Sequence, residues 1–236
     1  MPAALITGSA KGIGKAIALT LARTGYDVAI HYQHSQQGAQ AVVTEALGLG
    51  VRALSLQANL TRADEAQTLV KEAQAALGSL EVLVNNVGNY HNGPLEDLSL
   101  ETWHEMFDSN LHATFYTCQT AVPIMRQQGG GRIINLGYAG AEQLIARPNI
   151  VAYGIAKTGV ILYSKALAKS EAKNQITVNV ISPGVIENSV SQPIAEIPMQ
   201  RTGNLSELTA AVRYLLSPEA SYITGITLEV AGGWHL

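Results

Sequence analysis

One cysteine, Cys118, stands in 236 residues, which excludes an intramolecular disulfide framework. It falls in an apolar helical stretch and reads as a small buried hydrophobe, not a nucleophile. Metal-ligand spacing is absent too. None of the six histidines (His31, His34, His91, His104, His112 and His235) stands at a recognisable ligand spacing from a second His, Cys or carboxylate, so no metal is inferred. There is no basic run, and a formal net charge of -3 leaves no electrostatic footprint for nucleic acid. No segment reaches the ~18 uninterrupted apolar residues of a membrane span, so no membrane is expected either. Met1 to Thr7 lacks a charged leader and a long apolar core, and reads as a strand rather than a signal peptide. The expected location is the cytoplasm. Repeats, low-complexity segments and linkers are missing, which makes residues 1–236 one domain, and 47% hydrophobic content suits an α/β domain with a substantial core.

What is present has a regular beat. Strands are predicted over 3–7, 27–32, 51–57, 81–84, 132–136, 176–181 and 227–230. Helices are predicted after Gly14 and over 36–49, 61–77, 100–128, around Tyr153, and over 206–216. Trp103, Met106, Phe107, Leu111 and Phe115 form an apolar stripe on the long helix, with Asn110 interrupting it as either a structural hydrogen-bonder or a site residue. Strand, helix, strand at this rhythm implies right-handed crossovers and a parallel sheet, with ligands outside the carboxyl ends of the strands. Gly8, Tyr32, Asn59 and Asn86 all fall at those ends.

The first strand runs into Gly8-Ser9-Ala10-Lys11-Gly12-Ile13-Gly14. A glycine turn between a strand and a helix N-terminus offers backbone N–H groups and a positive dipole end to a pyrophosphate. After the second strand an acid would accept from the ribose 2′-hydroxyl of NAD, but Tyr32 is followed by Gln33, His34 and Ser35. With no carboxylate there and Lys11 close by, the expected cofactor is NADP(H) rather than NAD(H).

The chain is organised around Tyr153 and Lys157, an i, i+4 pair that shares one helix face. Ala152, Gly154, Ala156 and Gly159 keep that face open, while Val160, Ile161, Leu162 and Leu167 are expected to continue as core. A free phenol titrates near pH ~10. A neighbouring ammonium is expected to lower that value and make the phenol a usable proton donor and acceptor.

Thr7-Gly8-x-x-x-Gly12-x-Gly14, Asn85-Asn86-Val87-Gly88, Asn110, Tyr153-x-x-x-Lys157 and Pro183-Gly184 stand in the order of the short-chain dehydrogenase/reductase family, which the whole chain resembles. The run from Tyr222 to Gly233 extends the likeness, and the 3-oxoacyl-acyl carrier protein reductase branch is its nearest flavour. The resemblance implies a single doubly wound Rossmann domain of α/β class, its mainly parallel sheet flanked by helices. It also implies hydride transfer from a nicotinamide to a carbonyl or acyl-thioester substrate, and a homotetramer or homodimer. Carried over, Tyr153 would be the general acid, Lys157 would bind the nicotinamide ribose, and Asn110 would hold a relay water. Gly8, Ser9, Gly12, Ile13 and Gly14 would meet the pyrophosphate, Asn59 and Leu60 the adenine. Asn86 and Gly88 would line the cofactor crevice, and Pro183, Gly184 and Ile186 would pass beside the nicotinamide.

Three departures stand out. Tyr138 occupies the position of the family's substrate-binding serine, Asn188 replaces a threonine, and the segment between Pro183 and Ile197 is short. Tyr138-Ala139-Gly140-Ala141-Glu142 also resembles enoyl-acyl carrier protein reductases, which lack that serine but place their lysine further from the active tyrosine. A pteridine reductase and a non-catalytic NADP(H)-binding protein remain as alternatives.

Overall fold

The structure, a computed structural model, describes residues 1–189 and 191–234; His235 lies outside them. Apolar runs punctuated by glycine and asparagine form β1 (Ala3–Ile6), β2 (Asp27–Tyr32), β3 (Ala53–Gln57), β4 (Val82–Asn85), β5 (Gly131–Leu136), β6 (Ile176–Pro183) and β7 (Thr227–Val230). They pair in the order β3-β2-β1-β4-β5-β6-β7, every pair parallel. The chain moves outward from β1 to β3, then returns to lay β4 against the free side of β1. That reversal opens a crevice at the carboxyl ends of β1 and β4.

Side chains alternate across the sheet. Ala4 and Ile6 of β1 pack into one core with α1 (Gly12–Arg23), α2 (Gln36–Leu47) and α7 (Leu205–Leu216). Ala3 and Leu5 enter the other with α3 (Ala63–Leu77) and α5 (Ala113–Gln128). Burial on both faces is why the strands read as unbroken apolar runs. Leu5, Ile6, Leu83 and Ile133 are all fully buried, and truncating any one to alanine costs about 2–5 kcal/mol. The cysteine is buried as expected, and burial pushes its thiol up to about 12.

Two expectations need correction. The helix over 100–128 is not continuous: α4 (Leu100–Phe107) passes through a π-helical turn at Asp108–His112 before α5 begins. Of its apolar stripe only Met106 is fully buried, and Phe115 is exposed, because neither core covers that side. On α6 (Val151–Glu171), Val160 and Ile161 are core, but Leu162 is 70% exposed. The helix lies along β6 by one face only, and Leu162 points away from it. Residues Pro148–Asn174 are long and apolar enough to cross a membrane by length and composition, yet Lys157 and Glu171 are both buried within that stretch against the rest of the fold.

Candidate functional site

The glycine turn after β1 takes a path that only glycine follows easily. Gly8 and Gly12 have φ of +62° and +57°, and a Cβ on Gly14 would overlap the Gly8 carbonyl. His31 of β2 holds the turn from below. Its Nδ1 accepts from the Gly8 N–H at 2.9 Å, and its Nε2 lies 3.1 Å from the Ala58 carbonyl, which fixes the Nε2–H tautomer. Burial pushes this imidazole down to about 4, so it stays neutral. Ser9 closes the same knot. Its hydroxyl donates to the Ile6 carbonyl and accepts from the His31 N–H, while its own N–H donates to the His31 carbonyl. Ser9 therefore turns away from the crevice and supports the turn from inside.

Asn86, just past β4, also works on the turn, donating through Nδ2 to the carbonyls of Thr7 and Gly8 at 3.0 and 3.2 Å. The Thr7 hydroxyl accepts from the N–H groups of Asn86 and Val87. Lys11 is exposed and makes no ion pair among the described residues, and Gln33, His34 and Ser35 beyond β2 are exposed as well. Tyr32, Leu60 and Ile186 are buried, Asn59 is half-buried, and Ile13 is half-buried at the start of α1. Pro183 and Gly184 end β6 beside β7, and a Cβ on Gly184 would press on Ala231 at 2.7 Å. The Asn188 amide reaches the glycine turn, 3.1 Å from where a Gly12 Cβ would sit.

A second polar network anchors the Tyr153 helix. Asn85 donates to Asn135 Oδ1 at 2.8 Å, Asn135 donates to the Ser164 hydroxyl at 2.8 Å, and Thr117 donates to Asn85 Oδ1 at 2.7 Å. β4, β5, α5 and α6 are thereby locked together under the site. Of the two readings that the sequence left open for Asn110, its bonds bear out the structural one. Its amide donates to the carbonyls of Met106 and Asn89 at 2.9 and 3.0 Å, holding the π turn. Its Oδ1 is buried with no partner among the described residues. A Cβ on Gly88 would overlap that oxygen and stand 3.2 Å from Lys157 Nζ, so the bare glycine keeps a polar gap between amide and ammonium. Lys157 donates to the Leu136 carbonyl at 2.7 Å, and burial pushes it down to about 8.

Tyr153 sits between two other tyrosines. Tyr90 meets its ring edge-on at 5.0 Å between centroids, and Tyr138 tilts against it at 5.4 Å. Its ring keeps a solvent-facing part, but dense packing raises the phenol well above its ordinary value, with Tyr138 and Tyr90 adding to the rise. The expected lowering by Lys157 is not met here. The ammonium lies 5.9 Å from the ring centroid and is bonded to a carbonyl, and desolvation outweighs it. Tyr138 lies half-buried over α6, its hydroxyl 3.3 Å from where a Gly154 Cβ would be, and burial raises its phenol against a lowering by Arg147. Beyond it a cleft of about 420 Å³ is lined by Leu144, Ile145, Arg147, Ile155 and Leu162. A slightly larger cavity between α1 and α7 lies at the opposite, amino-terminal edge of the sheet and touches none of these groups.

Tyr90, Arg147 and His31 were not singled out from sequence. Tyr90 follows the Asn85–Gly88 motif by two residues, a signal that position alone offered. Arg147 and His31 gave none, because their partners lie far away in the chain.

These features match known proteins along the whole length. A family model described as enoyl-(acyl carrier protein) reductase matches residues 8–235. The 3-oxoacyl-(acyl-carrier-protein) reductase FabG of Staphylococcus aureus is 38% identical, over 99% of this chain and 98% of the relative. A short-chain dehydrogenase of Burkholderia cenocepacia, solved in complex with NADP, superposes with a TM-score of 0.94 at 32% identity, covering 100% of this chain and 98% of that one. A blue fluorescent protein from a metagenomic library, solved with NADPH, gives 0.94 at 31% identity with the same coverage. With its glycine turn, its Tyr153–Lys157 pair and these full-length relatives, the chain belongs to the short-chain dehydrogenase/reductase family.

Proposed function

We propose that this protein is an NADP(H)-dependent reductase of carbonyl substrates, 3-oxoacyl thioesters among them, with Tyr153 as the proton donor. The observation that carries the reading is the gap at Gly88, where the unpartnered Asn110 Oδ1 faces the Lys157 ammonium one helical turn from Tyr153. A protein that only bound a dinucleotide would need no buried amide oxygen, ammonium and phenol in one line.

The residues present fit the cofactor. The turn through Gly8, Gly12 and Gly14, too tight for any Cβ, brings its backbone to the start of α1, where N–H groups and the helix dipole would face a pyrophosphate. Lys11 stands exposed for a 2′-phosphate where no carboxylate opposes it among the described residues. Asn59 and Leu60 would flank the adenine, Asn86 and Gly88 the middle of the crevice, and the backbone from Pro183 to Ile186 the nicotinamide. When bound, the reduced nicotinamide supplies a hydride to the carbonyl carbon. Tyr153, protonated at neutral pH because burial raises its phenol, gives its proton to the carbonyl oxygen, and the product is the alcohol. Lys157 holds positive charge beside the phenolate left behind. Asn110 Oδ1, unpartnered in the gap at Gly88, would hold a water next to Lys157, and that water would return a proton to Tyr153 through Lys157.

Spectrophotometric NADPH consumption against ketoacyl thioesters, enoyl thioesters, quinones, small ketones and pterins tests this. Turnover on ketoacyl thioesters or ketones is expected. Consumption on enoyl thioesters alone would move the assignment to the activity that the family model's description and the Tyr138–Glu142 run favour. Binding of NADPH with no turnover on any of them would sink the reductase reading. Leu100, Phe115 and Leu162 leave apolar helix surface uncovered, which supports a homotetramer or homodimer, readable as mass by light scattering.

A further inference from the structure

Arg147 is a half-buried guanidinium without a counter-charge. Two arginines elsewhere in the fold each meet a buried carboxylate: Arg126 grips Glu171 with two hydrogen bonds, and Arg52 binds Asp27. The Arg147 side chain makes no ion pair and no hydrogen bond among the described residues, and its Nη2 is shut off from solvent with nothing to donate to. Its Cζ lies 5.7 Å from the Tyr138 ring centroid and 6.0 Å from that of Trp234. The two rings come from the ends of β5 and β7, so the guanidinium hangs over the substrate end of the crevice with one ring, Tyr138, between it and Tyr153. Around it the lining is apolar: Leu144, Ile145, Ile150 and Ile155. A desolvated guanidinium in such a wall is costly unless something anionic completes it. Its planar fork suits a carboxylate in particular.

Building on the carbonyl-reductase reading, we infer that Arg147 is a specificity-determining residue and that the substrates of this site are oxo acids, molecules with an apolar body, a ketone or aldehyde and a carboxylate. Tyr138 stacks on the guanidinium and on Tyr153, and so sets how far the anion stands from the carbonyl. The stack also explains a tyrosine where the family carries a serine. A flat ring offers the guanidinium a face, and a serine offers none.

Two measurements test this on the full-length protein. In the first, octanoate and octanamide, neither reducible, are titrated calorimetrically into the protein saturated with NADP. Octanoate should bind on the order of tenfold to a hundredfold more tightly, the range of a charge-assisted hydrogen bond, and the gap should narrow in high salt. Arg147→Gln should close it and Arg147→Lys should keep part of it, while Arg213→Gln, a charge removed from α7, should leave it in place. Equal binding of the two probes by the wild type overturns the inference even if no variant folds. So does an Arg147→Gln variant that weakens both probes alike, which assigns the arginine to packing. In the second, NADPH consumption is compared on medium-chain oxo acids and their methyl esters, where the acid-to-ester ratio in kcat/KM should fall toward unity in Arg147→Gln. A retained octanoate preference with no NADPH consumption on either series would leave the anion site standing and remove the reductase reading. Turnover of both series with a ratio near unity in the wild type would do the reverse.

Discussion

Around Gly8 nearly every polar group is spoken for inside the protein, whereas around Tyr138 hardly any is. The glycine turn is tied by His31, Ser9, Thr7 and Asn86 through both backbone and side chains. The segment after β5 is held mainly by single backbone contacts, among them Ala139 N–H to the Pro183 carbonyl at 3.1 Å and Gly140 N–H to Glu229 Oε1 at 2.8 Å, and by an exposed ion pair between Glu142 and Lys165. Past them Leu144 stands 75% exposed with φ of +52°. One end of the crevice has to present fixed N–H groups to a ligand shared by many enzymes. The other has to accept whatever substrate this one reduces, and its geometry is set by ring stacking rather than by ladder bonds.

On that contrast, substitutions at the tied end should cost stability or cofactor affinity, and those at the loose end should cost substrate binding or turnover and leave the cofactor alone. Tyr153 lies where the two ends meet, and its loss should be the largest effect. Tyr153→Phe is expected to reduce turnover by roughly 10²–10⁴-fold with NADPH affinity nearly intact, read from steady-state rates and fluorescence titration side by side. Wild-type turnover in that variant would make another group the acid.

The tied end should also be sensitive to acid. An unfolded His31 takes a proton near 6.5, but the folded one does so only near 4. Between those values the unfolded chain binds more protons, so stability falls as pH falls through that window, by on the order of 3 kcal/mol. Urea midpoints across pH 4 to 7 would measure it, and in His31→Asn the pH slope should flatten while the midpoint at neutrality drops. An identical slope in the variant would place the sensitivity elsewhere.

Smaller again is the effect of Lys11. NADPH should bind more tightly than NADH by about 1–3 kcal/mol, and Lys11→Ala should shrink that gap; equal dissociation constants in the wild type would contradict the assignment. The smallest change is expected at the loose end itself. Tyr138→Phe should lower kcat up to about tenfold with little change in cofactor affinity, and Tyr138→Ser should not restore it, because a serine oxygen stops well short of the phenol's position. An unchanged kcat in the Phe variant assigns Tyr138 to packing. Lys157 gives a check on the whole arrangement. Since burial brings it down to about 8, it loses its charge as pH rises through that value, and kcat/KM for reduction should decline above it.

The tied end was also the legible one. Its strands are short apolar runs ended by glycine or asparagine, and its turn needs residues of a single kind at fixed offsets, so Gly8, Gly12, Gly14, Asn86 and the Tyr153–Lys157 spacing could be read from the chain. The loose end was not, because what shapes it acts between residues far apart. Arg147 meets Trp234 across β5 and β7, and Tyr90 reaches Tyr153 from another loop. Leu162 was misread for a related reason: apolar character marks a residue that can be buried, but only the position of β6 decides which face of α6 is. Even His31 was opaque, since its role depends on the distance from β2 to the carbonyl of Ala58.

The π-helical turn at Asp108–His112 carries one more implication, for length rather than composition. A wide turn inserts the equivalent of one extra residue, and each residue rotates an α-helix by about 100°. α4 and α5 are therefore out of phase, so the buried side of α4, marked by Met106, is offset in phase from the side of α5 that buries Ala113, Thr117, Cys118 and Ala121. Deleting a single residue here would make a better helix and a worse protein. Either the inward side of α5 would swing toward solvent, or Asn110 would turn from Lys157. This stretch should accept exchanges of residue type at its outer positions, yet it should tolerate no change in count.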